Sequence, residues 1–274
     1  PGREGFGEVP QDAVEADPGQ ARDDLLLPPR FDDHQQVRPR RHDHPGPLGE
    51  AGARGHIQRS GQMAVGERVR VAGVQLESPT EQATLIALRE LLVRHPAAKI
   101  LVLSEYAFNG PIPASIKNFC RTHQVYLVAG GKAPTSDGNY YDTAFVVGPT
   151  GEIDFSQAKS VPVQFMKDGL PATEQRVWYS PWGKIGLGIC YDASYRHVMD
   201  ALIQQGAQAL IIPAQDEIGW GAQEHRLNAL VAPMRAVEYQ VPVFRLASSG
   251  ISEAVDPLGT ILAQADYPGQ ADMI

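Results

Sequence analysis

From Val69 onward the chain alternates short apolar runs with amphipathic stretches and Pro/Gly/Asn/Asp turns, and this alternation is the tightest constraint on its fold. Residues 69–76 read as a strand, Glu81–Arg94 as an amphipathic helix, 100–104 as an apolar strand and 113–123 as a helix. Strands follow at 125–130, 143–148 and 153–157, the last two joined by the turn Pro149-Thr150-Gly151-Glu152. A strand at 184–189 leads to a helix over 194–205, then a buried strand at 209–213. A long helical pattern covers 222–239, and Pro233 within it must kink or split it. Strands at 241–247, 251–256 and 261–265 complete the series around the turn Pro257-Leu258-Gly259. Strand–helix alternation ending in strand pairs predicts an α/β layered domain, placed at 63–274. The pattern stops at Ile274 without a closing element, as expected of a domain truncated at its C-terminus.

Residues 1–62 read differently. They hold eight Arg but no Lys, Tyr, Trp or Cys, and no apolar run longer than Leu25-Leu26-Leu27. Such a segment cannot bury enough apolar surface to offset its ordering entropy, so disorder is expected, either as an upstream extension or as a wrongly translated stretch. His34, His42, His44 and His56 lie here, in Pro-broken surroundings unsuited to fixing metal ligands; no metal or cofactor is expected.

The 274 residues carry a formal charge of −8 without a concentrated basic patch, which argues against a nucleic-acid partner. No apolar run approaches the roughly 20 residues that span a bilayer. Two cysteines, Cys120 and Cys190, exclude a disulfide framework and favour a reducing compartment, taken as the cytoplasm.

Three residues stand where chemistry is carried. Cys190 ends the strand at 184–189, ahead of a helix whose N-terminal partial charge favours thiolate. Glu105 follows an apolar strand, where burial should raise its pKa and suit it to general-base work. Lys159 follows another strand and could present an ammonium to a developing oxyanion. Taken singly, each admits a plainer role: a buried structural thiol, a capping or ion-paired glutamate, a solvated lysine. Cys120, inside a helical stretch, reads as a core residue.

Together, the order Glu, Lys, Cys at successive strand ends resembles the triad of the carbon–nitrogen hydrolase (nitrilase) superfamily. The words Leu103-Ser104-Glu105, Gln157-Ala158-Lys159 and Gly188-Ile189-Cys190-Tyr191-Asp192 carry the likeness. Downstream, Pro213-Ala214-Gln215-Asp216 with Trp220-Gly221, then Arg235-Ala236-Val237-Glu238, then Arg245 to Ser252 resemble the segments that close that pocket. Within the superfamily, Arg-Ala-x-Glu and Ala-Ser-Ser-Gly-Ile-Ser are most similar to the nitrilase-like domain of apolipoprotein N-acyltransferase. That branch carries a further glutamate shortly after the lysine; here the stretch is Val163 to Gly169, so either Gln164 or Asp168 substitutes or the role is absent.

The resemblance implies a four-layer α-β-β-α sandwich and cleavage of a non-peptide C–N bond in a small amide or carbamoyl substrate. Cys190 would be the nucleophile, Glu105 the base and Lys159 the oxyanion partner. The Tyr191 N–H would assist, with Asp192 behind it as support or as a helix cap. Tyr106, Trp220 and His225 are candidate pocket residues. Acyl transfer through the same thioester and ligand binding without catalysis are the alternatives, and homo-oligomers are expected from the superfamily's habit. A flavodoxin-like binding module lacks its Gly-rich phosphate loop here.

Overall fold

A computed structural model describes residues 68–164, 166–269 and 271–274; the expectations for residues 1–62 and their four histidines lie outside them. Two sheets carry the fold. The first orders β1 (Val71–Gly73), β2 (Ile100–Val102), β3 (Tyr126–Pro134), β4 (Tyr140–Val147) and β5 (Ile153–Ala158) side by side in chain order. The second does the same with β6 (Val177–Ser180), β7 (Gly183–Leu187), β8 (Ala209–Ala214), β9 (Val243–Ala247), β10 (Ser252–Val255) and β11 (Ile261–Ala265). In each sheet three neighbouring strands are parallel, β1–β3 and β7–β9, and the flanking strands are antiparallel.

Strand alternation sorts the apolar side chains into three separate cores. Leu101, Leu103, Leu127 and Ala129 face one way, onto Leu88 and Leu91 of α1 (Glu81–Arg94) and Ile116 and Phe119 of α2 (Ala114–His123). Ile100, Val102 and Val128 face the other way and meet Leu187, Ile211, Phe244 and Leu246 of the second sheet. Leu210, Ile212 and Val243 point outward again, onto Met199 and Leu202 of α3 (Arg196–Gln204) and Ala232 and Ala236 of α5 (Val231–Tyr239). Three cores between four layers make the α-β-β-α sandwich. Strands buried on both faces explain the continuous apolar runs of the sequence. Cys120 packs in the first core, where burial pushes its thiol up to about 12.

Several boundaries differ from expectation. The helix placed at 194–205 begins as a 3-10 turn, Cys190–Ser194, and α3 starts two residues later. The pattern over 222–239 divides at Leu230 into α4 (Ala222–Ala229) and α5. Pro233 then lies in the first turn of α5, where its missing N–H has no helical partner to lose. Strand β6 had no counterpart in the sequence reading, although Val177-Trp178-Tyr179 ahead of Pro181 and Gly183 is a hairpin signal. The segment 271–274, which has no clear sequence pattern, runs antiparallel beside β1: Gly73 and Ile274 exchange backbone hydrogen bonds of 2.9 and 3.1 Å.

One close approach positions the site. The turn after β2 crosses β3 at Gly130, where an added Cβ would lie 2.5 Å from the Glu105 Cα and 2.7 Å from the Tyr106 N. The contact is backbone on backbone, so no rotamer can relieve it. Gly130→Ala is therefore expected to destabilise the fold by about 1–3 kcal/mol and to displace Glu105, which chemical-denaturation midpoints and residual activity together would register.

Candidate active site

The carboxyl ends of strands from the two sheets, β2, β5, β7 and β8, converge at one place. Past β2, the turn Ser104-Glu105-Tyr106 is pinned by Ser104 Oγ donating to the Leu76 carbonyl (2.8 Å) and by Gly130 N–H donating to the Ser104 carbonyl (3.1 Å). Tyr106 takes a left-handed conformation, φ 52°, which turns the chain sharply away from the strand. Past β5, Lys159 is held through its own N–H to the Asp142 carbonyl on β4 (2.8 Å). Past β7, Cys190 also adopts positive φ, 46°, at the head of the 3-10 turn. A non-glycine residue there is strained, and such strain clusters at functional sites.

Lys159, 1% exposed, is the centre of the charge arrangement. Its ammonium donates to Glu105 Oε1 and to Asp168 Oδ2, both at 2.7 Å, and lies 3.7 Å from Asp142 Oδ2. Burial works to lower its pKa, but the acidic groups around it, Glu105 foremost, outweigh that and raise it, so the lysine stays an ammonium. Glu105, equally buried, receives a second bond on Oε2 from the Gln215 N–H, 2.7 Å, at the end of β8. The Gln215 carbonyl in turn faces the Cys190 sulfur at 3.8 Å. One peptide residue thus ties the carboxylate to the thiol.

Asp192 links two of the approaching strand ends. Fully buried, it accepts from Ser160 N–H (2.9 Å), Val161 N–H (2.8 Å) and Ile189 N–H (3.1 Å). It therefore fastens the loop after Lys159 to the residue before Cys190, and its bond from the Ile189 N–H also caps the 3-10 turn Cys190–Ser194. Burial raises its carboxyl to about 6, against the pull of those backbone donors. Tyr191, next to the thiol, sets its ring edge-on to Tyr195, 5.0 Å between centroids.

The thiolate expected from a helix N-terminus is not what the site provides. Burial and the nearby Glu105 charge hold the Cys190 thiol well above its ordinary value, with Lys159 opposing them. The turn that follows is a short 3-10 segment instead of an α-helix, so its dipole offers little relief.

Glu105, Lys159 and Cys190 share a cavity of about 420 Å³, walled by Tyr106, Tyr140, Lys132 and Trp220. A second hollow of about 450 Å³ meets it at Cys190 and reaches Tyr191, Asp216 and Arg245. Of the sequence candidates, Tyr106 and Trp220 line the first cavity, and the Tyr106 hydroxyl donates to Asp168 Oδ1 at 2.7 Å. Asp168 accepts from the Lys159 ammonium and lines the first cavity, while Gln164 is exposed and lines neither hollow. His225 is the other correction: it is fully buried, stacked on Tyr267 at 4.1 Å and 3.9 Å from Asp216, behind the wall and not in it. Asp142, Lys132 and Tyr140 were not singled out from sequence. They sit on β3 and β4, where alternation marks which face a residue takes but not what stands opposite.

Glu105, Asp142 and Asp168 place one oxygen each within 4.8 Å of the others, the only metal-like cluster among the described residues. The Lys159 ammonium is bonded into that group and occupies the cation's position. Two carboxylates at that spacing still repel by roughly 3.5 kcal/mol at an effective dielectric of about 20.

The profile of the family described as carbon-nitrogen hydrolase matches residues 70–270. The chain belongs to this family. Human omega-amidase NIT2 is 27% identical over 212 residues, 69% of this chain and 75% of that protein. Hydrolase C26A3.11 of Schizosaccharomyces pombe is 26% identical over 238 residues, 72% of this chain and 73% of that protein. Among solved structures, Nit3 of Saccharomyces cerevisiae superposes with a TM-score of 0.64 at 22% identity, covering 75% of this chain and 88% of that one. A mutant of the amidase from Nesterenkonia sp. AN1, TM-score 0.63 at 18% identity over 75% of this chain and 91% of that one, shows the result of Michael addition of acrylamide at its active-site cysteine.

The curated relatives are an omega-amidase and a hydrolase, and they correct the likeness to apolipoprotein N-acyltransferase. The words behind that likeness serve the fold of this carbon–nitrogen hydrolase. Arg235 donates to the carbonyls of Ala193 (2.7 Å) and Ser194 (3.1 Å) and pairs with Glu238, clamping the turn that begins at Cys190. Ser248 exchanges hydrogen bonds with the Asp216 backbone, and Ser252 Oγ accepts from Ala247 N–H. No helix among the described residues is long and apolar enough to cross a membrane.

Asp192→Ala leaves three backbone N–H groups without acceptors at the junction of the Lys159 and Cys190 loops. At about 1–3 kcal/mol for each unsatisfied buried group, a stability loss of about 3 kcal/mol or more is expected in urea unfolding at neutral pH.

Proposed function

We propose that this carbon–nitrogen hydrolase cleaves the C–N bond of a small amide or carbamoyl compound through a thioester on Cys190. The observation that supports it most is the Glu105 carboxylate, bonded on one side to Lys159 and on the other to the Gln215 N–H, with the Gln215 carbonyl facing the Cys190 sulfur. A base, a cation and a nucleophile thereby border one cavity.

The chemistry follows from the protonation states. The resting thiol is protonated and a poor nucleophile, so it needs a base at the moment of attack. Glu105 takes the thiol proton as sulfur adds to the amide carbonyl. Lys159 and the Tyr191 N–H face the oxyanion that forms. Collapse breaks the C–N bond, and Glu105 returns the proton to the departing amine. Water, deprotonated by Glu105, then attacks the thioester; its collapse gives the carboxylic acid and restores the thiol. Asp168 and Asp192 act through Lys159 and the Cys190 turn.

The cavity also suggests what else the substrate carries. Lys132 Nζ lies 2.6 Å from Asn109 Oδ1 and above the rings of Tyr140 (4.7 Å) and Tyr106 (5.4 Å) on its wall. A cation there, together with relatives named omega-amidases, supports an amide bearing an acidic group at its far end.

Mass spectrometry of the protein with a panel of such amides is expected to show an acyl adduct on Cys190. The adduct disappears in Cys190→Ala, and Glu105→Gln lowers kcat/KM by about 10²–10⁴-fold. An added amine that diverts the acyl group without changing its rate of formation would mark an acyltransferase. An adduct on Cys120 alone, or none with any amide or electrophile, would overturn the reading in favour of a binding protein.

Association of copies is part of the same proposal. Leu227, Leu230, Met234 and Val237 form an exposed apolar stripe along α4 and α5. Sedimentation of Leu230→Asp/Met234→Asp is expected to show a smaller species than wild type.

A further inference from the structure

Asp142 is a buried carboxyl with no role in the chemistry above. It is 0% exposed on β4, and neither of its oxygens accepts a hydrogen bond from a donor among the described residues. Its neighbours are ionisable. Glu105 comes from the end of β2, Lys159 from the end of β5, Asp168 from the loop beyond, and the Tyr106 phenol stands nearby. Lys132, its cross-strand neighbour on β3, sends its ammonium to Asn109 instead.

Counting donors shows which of the three carboxyls can hold a negative charge. Asp168 receives three, from Lys159 Nζ, the Tyr106 hydroxyl and the Val163 N–H. Glu105 receives two, from Lys159 Nζ and the Gln215 N–H. Asp142 receives none, and its nearest cation is 3.7 Å away and already bonded twice. A third anion beside one ammonium, without a protein donor, is the least tolerable state of the cluster. We propose that Asp142 is held as a neutral carboxylic acid whose hydroxyl donates to Glu105, making it a positioning residue for the base. Burial first, and then the Glu105 charge and the hydrogen bond with Glu105, move the Asp142 titration well upward, in the same direction. The protonated carboxyl gives Glu105 a third fixed contact and leaves the cluster one net negative charge, which returns to neutrality when Glu105 takes up the thiol proton. That last point rests on the reading of Glu105 as the base.

Linkage fixes the sign of a test that needs no substrate. The native pKa lies above the unfolded value of about 3.9, so the Asp142 proton contributes stability fully below about pH 4 and progressively less as pH rises towards the native pKa. Asp142→Asn cannot titrate and keeps an N–H donor towards Glu105. Its melting temperature relative to wild type is therefore expected to climb with pH over that range. An infrared difference spectrum, wild type minus Asp142→Asn at neutral pH, should contain a protonated-carboxyl carbonyl band. With an amide substrate, Asp142→Ala is expected to lower kcat about fivefold to tenfold at little cost in KM, the effect of one lost hydrogen bond. Asn should recover most of that loss and lack the alkaline limb set by Asp142 ionisation. No carboxyl band and a melting difference flat with pH would overturn the neutral state. A band with wild-type kcat in Asp142→Ala would overturn the positioning role. Should wild type hydrolyse no amide, the spectrum and the melting series still decide the protonation, so failure of the proposed activity is told apart from failure of this inference.

Discussion

A single ammonium, that of Lys159, organises the site because it is buried where only carboxylates can make it stable. Removing such an ion from water costs several kcal/mol, and the cost is offset by two bonds of 2.7 Å to Glu105 and Asp168. Each partner comes from a different strand end or loop. The ion pair network therefore depends on the first sheet being assembled, and the orientation of Glu105 depends on the network. A lysine left alone there would shed its proton; a carboxylate left alone would take one up.

Across the sandwich the coupling uses backbone. Gln215 at the end of β8 reaches Glu105 with its N–H and Cys190 with its carbonyl. Asp192 joins the loop after Lys159 to Ile189. The inner core of Ile100, Val102, Val128, Leu187 and Ile211 fixes how the two sheets face each other, and so sets the distance over which these links must act.

The layered α/β class, most strands and the meeting of Glu105, Lys159 and Cys190 were legible in the sequence. Apolar alternation and strand-end placement are local properties, and the order of the three residues is specific. Asp142 was not legible, since Tyr140-Tyr141-Asp142-Thr143 reads like any polar strand start, and its importance arises only from Glu105, 37 positions earlier, and Lys159, 17 later. His225 misled because a histidine on the pocket face of a helix is indistinguishable in sequence from one stacked on Tyr267 behind the wall. Strand β6 escaped because a four-residue run holds too few alternations to separate it from a loop. That Asp168 and not Gln164 reaches Lys159 depends on which way a loop folds, which periodicity does not address.

The Gln215 link has an unusual relation to genetic change. What it supplies is a peptide N–H and a peptide carbonyl, which nineteen of the twenty coded residues offer equally. Drift at this position can remodel the cavity wall while the junction of base and thiol stays untouched. Only proline, lacking the N–H, would sever it. A centre built on such a joint can explore new substrates at its rim without putting its own wiring at risk, and a substitution survey would score one of its most connected residues as dispensable.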